Sequence, residues 1–472
     1  MNQEPTEKEL QEAIKEGEEN NFKHAFREEK NRKEVTYNIA TYLIKKYSVK
    51  TLGGERVREI YIYKDGVYTE GVNMLRQDIR NFLEELCTTH HTNEIIEAIK
   101  DRTFIDRKYF DVDLNFINLN NGVLDIRTRT LLPHDSKYLF FQKFPVNYSE
   151  EADCPNIKKF LLEVFKDEEN KIMLSQELFG YTLYRRYFIK KAVNLLGKGD
   201  TGKTTFINVV IAFVGRNNIS GISLQQLCSD KFAAANLYGK HLNIYDDLPF
   251  DNVKDNGKFK IATGGGVITG EKKFYDQFVF ENYAKLLFAC NKIPEVDDAN
   301  DNAYFNRWII LEFNRVFSSS EQNKQLINRL TTPEELSGLL NFALDGLDRL
   351  LDREKFSYEK EVQEIKAEMS LSSSPIAKFS YECLEFEKDG WISKEKMHSV
   401  FIDYTQANNM PADTIEEFGR ALPKFADYTY TSRKQMINPE TARPKQFTGW
   451  RNVKFKDGVL KESSQQILKP MQ

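Results

Sequence analysis

Residues Gly197-Lys198-Gly199-Asp200-Thr201-Gly202-Lys203-Thr204 read G-x-x-x-x-G-K-T. This spacing constrains the fold more than any other stretch of the chain. Glycines at both ends allow a tight loop whose N–H groups turn inward on a phosphate. A lysine at the seventh position reaches the β- and γ-phosphates, and a following Thr offers its hydroxyl to Mg²⁺. The loop works only between a strand and a helix. The apolar run Ala192–Leu196 precedes it and Phe206–Ile211 follows it. The stretch therefore predicts nucleoside triphosphate binding by Gly197, Gly199, Asp200, Thr201, Gly202, Lys203, Thr204 and Thr205, with ATP and Mg²⁺ as cofactors.

The bulk properties bound the rest. At 472 residues, with 40% hydrophobic and 29% charged side chains, the chain has the composition of an ordinary soluble protein of roughly three domains. A net charge of −4 gives no molecule-wide field for nucleic acid, so any such surface is local. Cys87, Cys154, Cys228, Cys290 and Cys383 are scattered and odd in number, which argues against a disulfide framework and for a reducing, cytoplasmic setting. His90-His91 reads as a loop or helix end. No apolar run approaches the length of a membrane span, and the polar N-terminus is no signal peptide.

Along the chain, residues 1–34 carry ten acidic and seven basic side chains and read as a solvated helix or disorder. Two hairpin signals follow. Ile60–Tyr63 and Val67-Tyr68 flank Asp65-Gly66, and Phe116–Asn120 and Val123–Ile126 flank Asn121-Gly122. Residues 156–183 read helical. From about 190 to 318 apolar runs alternate with helical segments, the pattern of an α/β domain with a largely parallel sheet. Residues 322–369 read as helices, and the Ser/Pro cluster 370–375 reads as a linker. Helical spacing at Ile376, Phe379, Cys383, Leu384 and Phe386, two more helices and a ribbon complete the chain.

A phosphate loop needs a metal partner. The strand His241–Tyr245 ends in Asp246-Asp247, about 40 residues downstream. Asp246 suits Mg²⁺, and Asp247 suits the attacking water. Lys285–Cys290 is a further buried strand that ends in Asn291, placed to meet a γ-phosphate. Arg307 precedes the strand Trp308–Leu311 and offers a planar, permanent charge.

These four elements, in order and spacing, resemble the superfamily 3 helicases. More closely, residues 105–455 resemble the helicase half of the phage/plasmid primase family, which includes the poxvirus-type primase-helicases. Asn121-Gly122-Val123-Leu124-Asp125, Cys154-Pro155 and Gly180-Tyr181 are similar to phrases of its pre-helicase domain. The stretch from Phe232 to Lys240 is similar to the family's segment before the metal strand. Lys260-Ile261-Ala262-Thr263-Gly264-Gly265, with Glu271-Lys272-Lys273-Phe274, resembles its channel hairpin. The resemblance implies that Lys260, Lys272 and Lys273 meet phosphates there, and that Phe274 or Tyr275 stacks on a base or packs the base of the hairpin. Two departures stand out. The family usually carries an acidic residue near Gly266, and an Arg where this chain has Asn306.

The resemblance implies an AAA+-like core with a mixed N-terminal domain and a C-terminal winged-helix-like domain. The implied divisions are 1–104, 105–185, 186–370, 376–460 and a tail at 461–472. It implies an ATP hydrolase and DNA helicase moving 3′ to 5′, with Arg307 acting in trans in a ring, usually a hexamer. The partners are single-stranded and forked DNA and a separate primase or polymerase; no membrane is involved. The N-terminal residues show no carboxylate triad for primer synthesis. Between 430 and 461, eight basic residues face two acidic ones among interleaved aromatics, marking Arg433, Lys434 and Arg451 for DNA. The rival reading is an initiator or loader ATPase that binds duplex DNA without processive unwinding.

Overall fold

The computed structural model describes residues 22–27, 32–54, 57–248, 253, 255–271, 277–290, 301–323, 325–408, 410–437 and 443–459, with backbone alone at 370, 372 and 373. The chain divides into two compact units. The first takes in residues 1–247, 255–289 and 307–359, and the second 248–254, 290–306 and 360–472.

The first unit opens with helical residues 22–27 and the helix Arg32–Tyr47. The expectation of a solvated N-terminal segment is corrected for the described part of it. Phe22 and Phe26, one helical turn apart, both pack into a core with Ile39, Leu43, Ile79 and Phe82. An antiparallel sheet follows, β1 (Lys50–Gly53), β2 (Arg58–Lys64) and β3 (Val67–Glu70), with Asp65-Gly66 turning β2 into β3. The helices Val72–Leu83 and Thr89–Arg102 complete this part, and His90-His91 sit in the first turn of the second.

β4 (Phe116–Leu119), β5 (Gly122–Asp125) and β6 (Leu131–Leu132) form a second small sheet. Its turn is Asn120-Asn121, one residue earlier than the sequence suggests, because Gly122 pairs opposite Leu119. Asn121 instead exchanges two hydrogen bonds of 2.9 Å with the backbone of Tyr148. The helices Pro155–Phe165 and Glu169–Leu183 then lead to the sheet that carries the glycine-rich loop 197–202.

That sheet contains β7 (Ala192–Leu196), β8 (Ile219–Ser220), β9 (Leu242–Tyr245), β12 (Lys285–Cys290) and β13 (Trp308–Glu312). Between β9 and β12 a separate antiparallel hairpin, β10 (Val267–Gly270) and β11 (Phe278–Glu281), projects from the chain. The five strands lie in the order β13-β7-β12-β9-β8, and the registered pairs β13–β7, β12–β9 and β8–β9 are parallel. Strands buried on both faces read as unbroken apolar runs, and β12 is buried at every position. The α/β expectation with a parallel sheet is met. The long helix Pro333–Arg353 packs on the helix Glu169–Leu183 and adds Leu336, Leu339, Leu340, Leu344, Leu347 and Leu350 to the core. Burying those six leucines contributes on the order of 10 kcal/mol before entropy.

In the second unit, the helices Val362–Ser373 and Pro375–Cys383 abut. The expected Ser/Pro linker is corrected: its first residues end one helix, and Ser374 caps the next by accepting from Ala377 N at 3.3 Å. Pro375 fills the first helical position, where no N–H is needed. β14 (Leu384–Ser393) comes next, so Leu384 and Phe386 lie on a strand and not on the expected helix. The helices Lys394–Ala407 and Ile415–Phe425 follow, then β15 (Tyr430–Ile437) and β16 (Pro444–Phe455) in an antiparallel sheet of order β14-β16-β15. Phe379, Phe401, Phe418 and Trp450 fill its core.

Candidate nucleotide site and nucleic-acid hairpin

Parallel strands deliver their carboxyl ends to one edge of the sheet, and ligands of open α/β sheets gather there. β7 ends there and runs into the loop 197–202, which opens the helix Lys203–Val214. β9 ends at the same edge in Asp246 and Asp247, both exposed. β12 runs between β7 and β9. Asn291, the residue after it, lies outside the described residues.

The loop is shaped by close approach. A Cβ on Gly197 would lie 2.6 Å from the Phe313 carbonyl oxygen. Gly202 adopts φ +89°, and Asp200 adopts φ +59°. Gly199 has open space where a side chain would go. Thr201 donates to the Lys198 carbonyl at 3.0 Å. The Lys203 ammonium rests on the loop itself, on the carbonyls of Gly197 and of Lys198, the latter at 2.6 Å. Thr204 is exposed, and Thr205 half-buried, in the first turn of the helix. The first N–H groups of a helix are unpaired within it and favour an anion. An exposed hydroxyl, an exposed carboxylate pair and a helix N-terminus match what a magnesium-bound polyphosphate requires. Mg²⁺ keeps several waters and takes only one or two protein ligands. Among the described residues no cluster of three metal-ligating side chains exists, and such a site needs none.

Arg307 sits at the opposite edge. Its carbonyl accepts from Ala192 N at 2.6 Å, so it precedes β13 where β7 begins. About 16 Å of strand separates it from its own loop. Its Nε donates to the Lys260 carbonyl at 3.3 Å. Lys260 lies on the helix Gly257–Ala262, just before the β10–β11 hairpin.

The hairpin strands pair from Val267↔Glu281 to Gly270↔Phe278. Lys272, Lys273 and Phe274, at its tip, lie outside the described residues. Sequence reasoning missed how its base is held. The Phe278 ring lies on Gly270, where a Cβ would meet it at 2.7 Å. The Arg107 guanidinium sits 5.2 Å from the centre of the Phe278 ring and 5.4 Å from that of Tyr238, and pairs with Glu59 at 2.6 Å. Tyr238 in turn meets Phe278 and Phe280 edge-on. Glu271 pairs with Lys231 at 3.2 Å. The only advance signal was an Arg far upstream in a polar stretch, with nothing to mark its partner.

A buried polar cluster at the amino edge was also missed. Lys285 is 5% exposed and donates to the carbonyls of Tyr184, Arg186 and Tyr283. His241 donates to the Thr182 carbonyl through Nδ1 at 3.0 Å. Burial first, then the Arg185 and Lys285 charges, pushes its pKa down to about 3. Asp111 accepts from Phe141 N at 3.3 Å and from the Tyr283 hydroxyl at 3.2 Å, and burial raises its pKa. These residues tie the segment before the sheet to its strands. The sequence signal was a polar residue abutting each apolar run.

In the second unit, Arg433 and Lys434 are exposed on β15. Arg451 pairs with Asp389 at 2.5 Å, and Lys454 pairs with Glu385 and Glu387 at 3.2 and 3.1 Å. The basic excess counted over 430–461 is therefore partly offset by acids of β14, which lies outside that window.

Fold and site together define an α/β protein whose parallel five-stranded sheet is compatible with a nucleotide-binding core. Residues 4–166 match the family described as D5 N terminal like, and residues 195–307 match DUF5906, a family of unknown function. No curated protein matches the chain. Among solved structures, the apo C-terminal region of NrS-1, residues 305–718, is 14% identical. It covers 89% of this chain and 99% of its own, with a TM-score of 0.49. Two A-form apo structures of the same NrS-1 region are 12% and 11% identical, covering 87% and 88% of this chain and 97% and 99% of their own. Their TM-scores are 0.43 and 0.44. Among the described residues no helix is long and apolar enough to cross a membrane.

Proposed function

We propose that this chain is a ring-forming, ATP-driven DNA helicase of a phage, plasmid or other mobile replicon. The observation that carries the reading is the strand order β13-β7-β12-β9-β8. It brings the phosphate loop and Asp246-Asp247 to one edge of the sheet and leaves Arg307 at the other. That parallel order suits the AAA+-like core that the resemblance implies. The match of residues 4–166 to the D5 N terminal like family supports a replication protein of the phage primase-helicase type. From Pro375 on, the second unit runs helix, strand, two helices and two strands, which suits a winged-helix module.

Bound ATP supplies the cleavable anhydride, and Mg²⁺ neutralises charge on its oxygens. Lys203 exchanges the carbonyls of Gly197 and Lys198 for the β- and γ-phosphates. Thr204 and Asp246 would hold the metal, which would neutralise phosphate charge there. Asp247 would orient the attacking water, and Asn291 is the further residue assigned to the γ-phosphate. Phosphoryl transfer is mostly positioning and charge stabilisation, so two carboxylates and two cations suffice. Arg307 is too far from its own loop to serve it, and it completes a neighbour's site in a ring, taken as a hexamer. Lys260, Lys272, Lys273 and Phe274 hold single-stranded DNA in the channel, and Arg433, Lys434 and Arg451 hold the fork. A separate primase or polymerase supplies synthesis.

Strand displacement on a forked substrate tests this. The Lys272→Ala/Lys273→Ala chain is expected to keep ATP binding and lose unwinding, and Asp247→Asn to lose DNA-stimulated hydrolysis. Undiminished unwinding by the double variant overturns the hairpin assignment, whereas a parent chain that binds duplex DNA without unwinding it favours the loader.

A further inference from the structure

The sheet order dictates on which side of the loop each end of a nucleotide lies. Asp246 and Asp247 stand on the β9 side of β7. If they serve the metal and the terminal phosphate, that end points toward β9. The nucleoside then leaves the loop on the other side, over the carboxyl end of β13. The chain just past β13 is bound to the loop twice. Phe313 N donates to the Leu196 carbonyl at 2.7 Å, and Phe317 N donates to the Asp200 carbonyl at 2.8 Å.

This strap carries a planar pair. Phe317 is half-buried, and its Cε2 lies 3.7 Å from where a Cβ on Gly202 would stand. The Arg315 guanidinium lies 4.5 Å from the centre of the Phe317 ring. Arg315 is held by the Glu163 carbonyl at 2.9 Å and by Glu321 at 3.1 Å, and stays 30% exposed. A guanidinium held over a ring, beside the loop on the nucleoside side, offers a stacking surface for another planar group.

We propose that Arg315 and Phe317 form the nucleobase platform of the site, so that the ligand is a nucleoside triphosphate held by its base as well as its phosphates. The proposal rests on the reading of 197–204 as a phosphate loop. The strap has a plainer job if it only props the loop, and the two roles separate by ligand. Stacking recognises the base, and propping acts on any polyphosphate.

Calorimetric titration of the full chain with magnesium ATP and with magnesium tripolyphosphate tests it. Phe317→Ala is expected to weaken ATP by about tenfold or more and to leave tripolyphosphate unchanged. Phe317→Trp, which keeps a planar ring, is expected to retain ATP affinity and guards against misfolding of the alanine chain. Equal weakening of both ligands by Phe317→Ala, or no weakening of either, overturns the platform. A wild-type chain that binds neither ligand overturns the phosphate-loop reading itself.

Discussion

Gly197→Ala, Gly199→Ala and Gly202→Ala change one motif by the same methyl group, and the geometry gives them different fates. At Gly197 the new Cβ meets the Phe313 carbonyl oxygen at 2.6 Å and the Phe313 Cβ at 3.0 Å, where ordinary contact is 3.4–4 Å. Loop and strap must part by about 0.8 Å to reach it, against the 2.7 Å hydrogen bond from Phe313 N to Leu196 O. Overpacking of this kind costs about 1–3 kcal/mol. At Gly202 the backbone is left-handed at φ +89°, which costs an L-residue about 1–2 kcal/mol, and Val164 stands 3.1 Å away. At Gly199 nothing stands within 4 Å. Thermal unfolding and steady-state ATP turnover on single-stranded DNA read the outcome. Gly197→Ala is expected to lower kcat/KM on the order of 100-fold, because sub-ångström misplacement of phosphate-binding N–H groups is enough. Gly202→Ala is expected to behave similarly, and Gly199→Ala to stay within about twofold of the parent chain. Equal activity of the Gly197 and Gly199 variants would refute the claim that the strap sets the loop's shape.

Two further predictions concern charge. His241 is held neutral: its pKa is pushed from 6.5 to about 3 by burial and by Arg185 and Lys285. Between those values the unfolded chain binds a proton that the folded chain refuses, so stability falls as pH drops from 6.5 toward 3. Asp111, whose pKa is raised, contributes with the opposite sign, and comparison with His241→Asn isolates the histidine. The parent is expected to lose up to about 1.4 kcal/mol per pH unit more than His241→Asn in denaturant titrations; parallel slopes would contradict the burial argument. In the second unit, Glu385→Gln/Glu387→Gln/Asp389→Asn frees Lys454 and Arg451 from their partners. Fluorescence anisotropy is expected to show tighter DNA binding with a steeper salt dependence, and unchanged binding would remove β14 and β16 from the interface.

The sequence revealed what is local and covalent, and hid what is assembled from distant segments. The loop 197–204 was legible because its glycines and Lys203 are neighbours in the chain, and the parallel sheet because its strands are unbroken apolar runs. The hairpin around Gly270 was legible from its glycines. Its anchor Arg107 was not, because that contact joins residues far apart in sequence. Ser370–Pro375 misled because the residues that favour linkers also end and cap helices. Leu384 and Phe386 misled because Phe379, Cys383 and Phe386 recur at the four- and three-residue spacing of a helix face. The charge count at 430–461 misled because β14, which supplies the opposing acids, pairs with β16 across a long gap. Phe313 and Phe317 passed unremarked because only the register of β13 against β7 brings them onto the loop.

The central claim is that Lys203 and Arg307 serve one reaction from two subunits. Mixing Lys203→Ala chains with Arg307→Ala chains and measuring DNA-stimulated ATP hydrolysis tests it most directly. Each variant alone is inactive on this account, and the mixture regains turnover at interfaces that join an intact loop to an intact Arg307. No recovery at any ratio, from chains shown to co-assemble, would contradict it.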